Sequence, residues 1–341
     1  MIFSSKAPLR IGLAGGGTDV SPYSDMFGGA VVNAAISLYA NAVIELTNEH
    51  SIVVEATDRN EKQVFDLRNN LPIDGTLDLL KGVYNRIQKD HPFPLKGFRL
   101  TTAVDAPAGS GLGTSSTLVV AVLGAFKQML QLPMDNYQLA HYAYDIERSD
   151  LQLAGGKQDQ YAAVFGGINF MEFKTTGNVM VTTLQISQDC IQELQDNLLL
   201  YFTNSSRESA AIINEQVNNV YNNNQQSVEA MHHLKEQAVW MKTALLQHNN
   251  NEIGRLLDYG FTQKRLMAHN ISNPQIESIY NAAKKAGATG GKISGAGGGG
   301  FMTFYCPGNT RTAVTAALSS FGGYVKPYHF VQQGLITQTL S

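Results

Sequence analysis

Apolar residues recur along this chain with two interleaved periods, and the alternation between them sets the expected elements. A period of two, broken by turn residues, predicts strands at the N-terminus and over residues 30–46, 51–57, 95–104, 166–173, 179–186, 198–203 and 301–305. Gly177-Asn178 is a plausible hairpin turn between two of them. A period near 3.6 predicts helices over 76–89, 114–131, 135–148, 206–222, 226–248, 251–268 and 273–286. In the first helix Leu79, Leu80, Val83 and Ile87 share a face. In 226–248 the residues Met231, Leu234, Ala238, Met241 and Leu245 repeat at helical spacing and read as core. Asn218–Gln226 reads as an exposed helix connection. The chain is thus mixed α/β without internal repeats. A change of unit near 185–197 divides it into 1–190 and 191–341.

Length and composition narrow the function classes. A chain of 341 residues holds one large or two medium domains, and 43% hydrophobic against 16% charged residues predicts an ordered core. A net charge of −3 argues against a general nucleic-acid binder. No apolar run reaches membrane-spanning length, and Met1–Lys6 begins a strand pattern rather than a signal peptide. Cys190 and Cys306 form neither a metal motif nor a disulfide framework, so a reducing cytoplasm fits best. Nothing in the pattern sets an oligomeric state.

Residues 107–117 carry the strongest chemical signal: Pro107-Ala-Gly109-Ser110-Gly111-Leu112-Gly113-Thr114-Ser115-Ser116-Thr117, followed by an apolar run through Phe126. The order is flexible loop, hydroxyl cluster, helix. A helix N-terminus offers unpaired N–H groups and partial positive charge, and glycines let an anion approach that backbone. The hydroxyls can cap the helix or coordinate Mg²⁺ and phosphate oxygens. The segment therefore reads as a triphosphate cradle or as a Gly-rich turn with an N-cap. It is not a Walker loop, because Thr114 follows Gly113 where that motif requires Lys, and it lacks the dinucleotide glycine spacing.

Three further segments carry candidate chemistry. Ala7–Asp19 runs as a strand, which places Lys6 and Arg10 on one face, into a loop of Gly15, Gly16, Gly17, Thr18 and Asp19. Asp19 can bind a sugar hydroxyl or cap the backbone of Val20–Ser24. Glu147–Gln160 supplies Glu147 and Asp159, which suit the metal-binding and acceptor-orienting roles of phosphoryl transfer, or are surface charge and a turn residue. Gly290–Gly300 implies tight backbone packing or a nearby ligand ahead of the strand at 301–305.

Together and in this order, the four segments resemble the three motifs and the intervening acidic stretch of the GHMP kinases, over residues 5 to 305. That resemblance implies an α+β, two-domain GHMP kinase fold, with an N-terminal α/β ATP-binding domain and a C-terminal ferredoxin-like domain closing over it. Galactokinases have a Glu-His pair where this chain has Gly16 and Gly17. The run Ala14–Asp19 and the segment Gly155–Phe173 look more like the family's kinases of D-glycero-D-manno-heptose 7-phosphate. Fucokinases share only the first of these. Leu151-Gln152-Leu153 departs from the pattern, which expects Gly in the middle position.

The resemblance implies the following site. Pro107, Gly109, Ser110, Gly111, Leu112, Gly113, Thr114, Ser115 and Ser116 hold ATP. Ser115 or Ser116, with Glu147, holds Mg²⁺. Asp159 orients and deprotonates the attacking anomeric hydroxyl, and Arg10 beside it keeps it ionised. Gly16, Gly17, Thr18, Asp19, Gly156, Lys157, Arg207 and Gly297 contact the sugar phosphate, with the small residues at 16 and 17 leaving room for a bulky acceptor. Lys6, Arg148, Lys157 and Arg207 are the candidates for a phosphate the acceptor already carries. No nucleic acid or membrane is expected as a partner. The alternatives are fucokinase or another hexose 1-kinase, a phospho-decarboxylase of the same fold, and a non-catalytic ATP- and sugar-binding sensor.

Overall fold

The computed structural model describes residues 1–205 and 209–340. The N-terminal half runs β1 (Ile2–Ala14), α1 (Tyr23–Phe27), β2 (Gly29–Leu46), β3 (Ser51–Ala56), β4 (Glu61–Asp66), α2 (Asp78–Asp90), β5 (Phe98–Val104), α3 (Thr114–Leu130), α4 (Asn136–Asp145), α5 (Gln158–Phe165), β6 (Ile168–Phe173) and β7 (Val179–Thr183). The rest runs α6 (Gln188–Asn197), β8 (Leu198–Phe202), α7 (Ser209–Tyr221), α8 (Gln225–Leu246), α9 (Asn250–Arg265), α10 (Pro274–Lys285), β9 (Gly290–Ile293), β10 (Phe301–Tyr305), α11 (Thr310–Leu318), β11 (Tyr324–Val325) and β12 (Ile336–Leu340). Local chemistry sets several ends. Asp135 and Gln138 form a reciprocal capping box at α4, and Asn273 caps α10 with Pro274 just inside it.

Two sheets organise the molecule. The first has eight strands along β12-β1-β2-β5-β3-β4, with β6 attached to the early part of β2 and β7 to β6. The second is antiparallel in the order β11-β8-β10-β9. Within that unit, β8, the long helical stretch, β9, β10, α11 and β11 follow the order of a ferredoxin-like fold, as the resemblance implied. The division at 190 needs one correction: β12 returns to pair with β1, so the last strand belongs to the first sheet.

The core explains why the halves adhere. Helix α3 is buried along most of its length against β1 and β2 on one face of the first sheet. The opposite face, with Leu9, Ile11, Val32, Ala34 and Ile36, packs on Ala238, Met241, Leu256 and Leu257 of α8 and α9. Those two helices also cover the second sheet through Met231, Leu234 and Phe261. The stripe expected over 226–248 is thus core to both sheets.

Candidate active site

The site begins where β1 leaves the sheet. A register irregularity between Pro8 and Leu9 breaks the alternation of β1, so Lys6 and Arg10 do not share a face. Lys6 lies exposed over the Tyr39 ring, whereas Arg10 is buried in the cleft. Arg10 directs Nε (2.7 Å) and Nη2 (2.6 Å) to Oδ1 of Asp159, and its Nη1 donates to Gly111 O at 2.5 Å. Gln158 Nε2 donates to the same Oδ1 at 3.2 Å. Asp159 lies in the first turn of α5, a helix the hydrophobic pattern had not marked. Its second oxygen faces the glycine loop, because a Cβ on Gly113 would lie 3.2 Å from Oδ2.

That loop ends at α3. Gly113 is the N-cap, with φ 78° and no side-chain cap, so the first-turn amides are left for an incoming anion. A Cβ on Gly111 would lie 2.7 Å from the backbone of Ser294. The two Gly-rich segments therefore pack backbone to backbone, which accounts for Gly295 and Gly300. Hydroxyls and a carboxylate collect beside the helix start. Ser115 Oγ donates to Glu147 Oε1 at 3.1 Å, and Gln160 Nε2 bridges Ser116 Oγ (3.1 Å) and Glu147 Oε2 (2.6 Å). Glu147 is 1% exposed and belongs to a π-helical turn, Ile146–Asp150, that follows α4 where a continuous helix was expected. The wider turn alters the direction of the side chains that follow. Among the described residues no group of three His, Cys, Asp or Glu gathers to hold a metal. One buried carboxylate with two serine hydroxyls is an all-oxygen donor set that fits Mg²⁺ shared with nucleotide phosphates.

Asp19 closes the first loop. Its Oδ1 accepts from Gly17 N (3.2 Å) and its Oδ2 from Gln158 N (3.0 Å) at the start of α5. It therefore ties two cleft-lining segments together. Gly156 is required beside it, since a Cβ there would lie 1.9 Å from Oδ2.

The opposite wall comes from the C-terminal half. Lys264 of α9, Lys292 of β9, Gln216 of α7, Gly295 and Ala296 line a cleft of about 310 Å³ together with Arg10, Gly16, Gly17, Asp19, Gly109, Gly111, Gly113, the hydroxyls of Thr114, Ser115 and Ser116, Glu147, Arg148 and Asp159. Lys292 Nζ donates to Gly12 O at 2.8 Å. Burial, reinforced by the positive charges of Lys264 and Arg10, pushes its ammonium well below the usual lysine range. Burial likewise lowers Lys264 to about 8, with Asp19 opposing the shift and Arg10 adding to it. A second hollow, of about 510 Å³, opens between α2 and Asp150–Leu151. Its Arg86 is already bound to Asp90 and Asp150, and it holds none of the hydroxyl–carboxylate set.

The structure places several of the expected contact residues away from the cleft lining. Thr18 is fully buried, its one hydroxyl hydrogen within reach of both Gly15 O and Ala30 O while its oxygen accepts from Ala30 N, so it braces the loop. Lys157 points to Asp25 (3.6 Å) and the Tyr144 ring, away from the cleft lining. Gly297 packs on the Ile271 backbone. Pro107, Ser110 and Leu112 lie outside the lining; Leu112 is core, and its carbonyl accepts from Arg10 N. Gly16 does face open space, but a side chain at Gly17 would meet the Met267 methyl, so only the first leaves room for a ligand. Arg148 lines the cleft with its Nη atoms on the carbonyls of Leu153, Ala154 and Gly156. Arg207 lies outside the described residues. Lys264, Lys292, Gln158, Gln160 and Gln216 were not anticipated. For Lys264 a signal existed: it continues the stripe Ile253, Leu256, Leu257, Gly260, Phe261 at helical spacing.

Comparison with known proteins agrees with this geometry. The family model of the GHMP kinases N terminal domain matches residues 78–167, and that of the GHMP kinases C terminal domain matches residues 241–323. The chain is 41% identical over 331 residues to a D-glycero-alpha-D-manno-heptose 7-phosphate kinase of Campylobacter jejuni, covering 97% of each. A crystal structure described as a D-glycero-D-manno-heptose 1-phosphate kinase from Bacteroides thetaiotaomicron superimposes with a TM-score of 0.85 at 42% identity, covering 99% of each chain. An L-fucokinase/L-fucose-1-P guanylyltransferase of Bacteroides fragilis is 28% identical over 87% of this chain but only 34% of its own length.

Proposed function

This chain belongs to the GHMP kinase family, as a phosphotransferase with an alcohol acceptor, and from that premise we propose that it moves the γ-phosphoryl group of ATP onto the anomeric hydroxyl of D-glycero-D-manno-heptose 7-phosphate. The product is the 1,7-bisphosphate. The cytoplasm, where ATP is abundant, is the proposed location. The observation that carries the chemistry is the two-sided environment of Asp159. Arg10 and Gln158 hold Oδ1, while Oδ2 faces the phosphate loop.

In this reading the first-turn amides of α3 receive the nucleotide phosphates. Asp159 Oδ2 orients the acceptor hydroxyl and takes its proton as the oxygen attacks phosphorus. Arg10 holds Asp159 in place through Oδ1 and offers positive charge beside the transferring group. Ser115, Ser116 and Glu147 would hold Mg²⁺, which when bound neutralises phosphate charge. Gln160 positions Glu147 and Ser116. Asp19 and Gly16 shape the acceptor side, and Asp19 also fixes the start of α5, so it acts on Asp159 through the backbone.

The two heptose kinases compared above are named for different resident phosphates, so the test must separate them. ADP release is measured with heptose 7-phosphate, heptose 1-phosphate, free heptose and fucose. Fast release with the 7-phosphate and a product bearing phosphate at C1 is expected. A preference for fucose or for the 1-phosphate would overturn the acceptor while leaving the kinase chemistry standing.

A further inference from the structure

Lys264 is 3% exposed and lines the cleft, yet among the described residues its ammonium makes no hydrogen bond or ion pair. The other described cations near the site each have at least one partner, although Arg148 keeps a buried Nε without one. Arg10 is held by Asp159 and Gly111 O, Lys292 by Gly12 O, the Arg148 Nη atoms by three carbonyls, and Lys157 by Asp25. Gln216 adds a donor to the same cleft: its Nε2 is buried and unpartnered. Burying an ammonium without a partner is costly, and such a cost persists where a ligand removes it. Position identifies the ligand. Lys264 is close enough to Asp19, Arg10 and Lys292 for their charges to act on it. Met267, one turn further on, fills the space beside Gly17, and Gln216 reaches the same glycine. The phosphate loop instead packs on Ser294 and Gly295. Lys264 therefore belongs to the acceptor side.

We propose that Lys264 binds a phosphoryl oxygen of the acceptor, making it the residue that selects a sugar already phosphorylated over a free sugar. This rests on the sugar-phosphate kinase reading above.

The test uses the full chain and the variants Lys264→Met and Lys264→Arg. Calorimetry with heptose 7-phosphate should show roughly 10- to 100-fold weaker binding to Lys264→Met, the scale of one charged hydrogen bond. Binding of ATP and of free heptose should be nearly unchanged, and Lys264→Arg should recover part of the loss. Without ligand, Lys264→Met should melt no lower than the parent, because it removes a buried unpaired charge. A structural lysine would instead lower the melting point. Equal affinity of parent and Lys264→Met for the sugar phosphate overturns the proposal, and so does a loss confined to ATP, which would put Lys264 on the nucleotide. If the parent does not bind heptose 7-phosphate, the acceptor reading fails, and millimolar inorganic phosphate then tests Lys264 alone. Stabilisation of the parent but not of Lys264→Met supports it, and equal stabilisation overturns it.

Discussion

The two walls of the cleft are built on different logic. The N-terminal wall works with main chain and short side chains: the uncapped start of α3, the hydroxyls of Ser115 and Ser116, and carboxylates each held by named partners. The C-terminal wall reaches in with long side chains, Lys264, Lys292 and Gln216, from elements whose buried apolar residues are core. A rigid wall suits reacting atoms, where small displacements cost rate. A wall of long side chains suits discrimination between acceptors, where what counts is whether a buried group finds a partner.

The sharpest way to break this contrast is Asp159→Asn. The shape is kept and the proton acceptor is lost, so turnover should fall by about 10² to 10⁴ with ATP affinity little changed. A steady-state assay checks it. Should Lys264→Met lower kcat as much as Asp159→Asn does, the division of labour between walls is wrong.

Glu147→Gln probes the metal side of the same wall. It removes an anionic oxygen while leaving Ser115 and Gln160 in place, so the Mg²⁺ concentration for half-maximal activity should rise about tenfold. Superimposable Mg²⁺ titrations of parent and variant would remove Glu147 from the ligand set.

Next in size is a pH effect on the C-terminal wall. Lys264 must be charged to hold an anion, and burial has lowered it to about 8, with Asp19, Arg10 and Lys292 as its charged neighbours. Acceptor affinity should be level below pH 8 and weaken by up to about tenfold per unit above it. The unliganded protein carries the opposite sign. The unfolded chain binds the lysine proton more tightly than the folded one between about 8 and 10.5, so this group's contribution to stability rises through that window. Comparing parent with Lys264→Met isolates both trends, and parallel pH profiles of the two would refute them.

The smallest effect concerns the loop joining Glu147 to Asp159. Gln152 is held at φ 53°, in the left-handed region, at the position where the family pattern expects Gly. Gln152→Gly should remove strain of about 1 kcal/mol, partly offset by the entropy of a freer unfolded chain. A modest rise in melting temperature with unchanged kcat is expected.

The contrast between walls also explains what the sequence disclosed. Gly109–Ser116 was legible because cradle, hydroxyls and helix are contiguous, so neighbouring residues state their own geometry. Arg10 and Asp159 could be paired only through the family resemblance, since 149 positions separate them. Lys6 misled because alternation assumes an unbroken strand and β1 shifts register at Pro8. Lys157 misled because proximity in sequence to Asp159 does not fix direction: it leads into α5 and points to Asp25. Lys264 stayed hidden because a lysine in Gln-Lys-Arg reads as solvent-facing, although its phase on α9 places it on the buried stripe. The strand β12 and helices α5, α6 and α11 are short or mixed in pattern, and their existence depends on tertiary contacts.

The position of α8 and α9 between the two sheets bears on how the protein is made. The second face of the first sheet, with Leu9, Ile11, Val32 and Ile36, is covered in large part by α8 and α9, which emerge from the ribosome much later, and the edge of β1 waits for β12. During synthesis the N-terminal half must carry an uncovered apolar face and an unpaired edge, both invitations to aggregate. A fragment of residues 1–190 should therefore accumulate in inclusion bodies even though it contains the whole phosphate cradle, and co-expression of residues 191–341 should recover part of it.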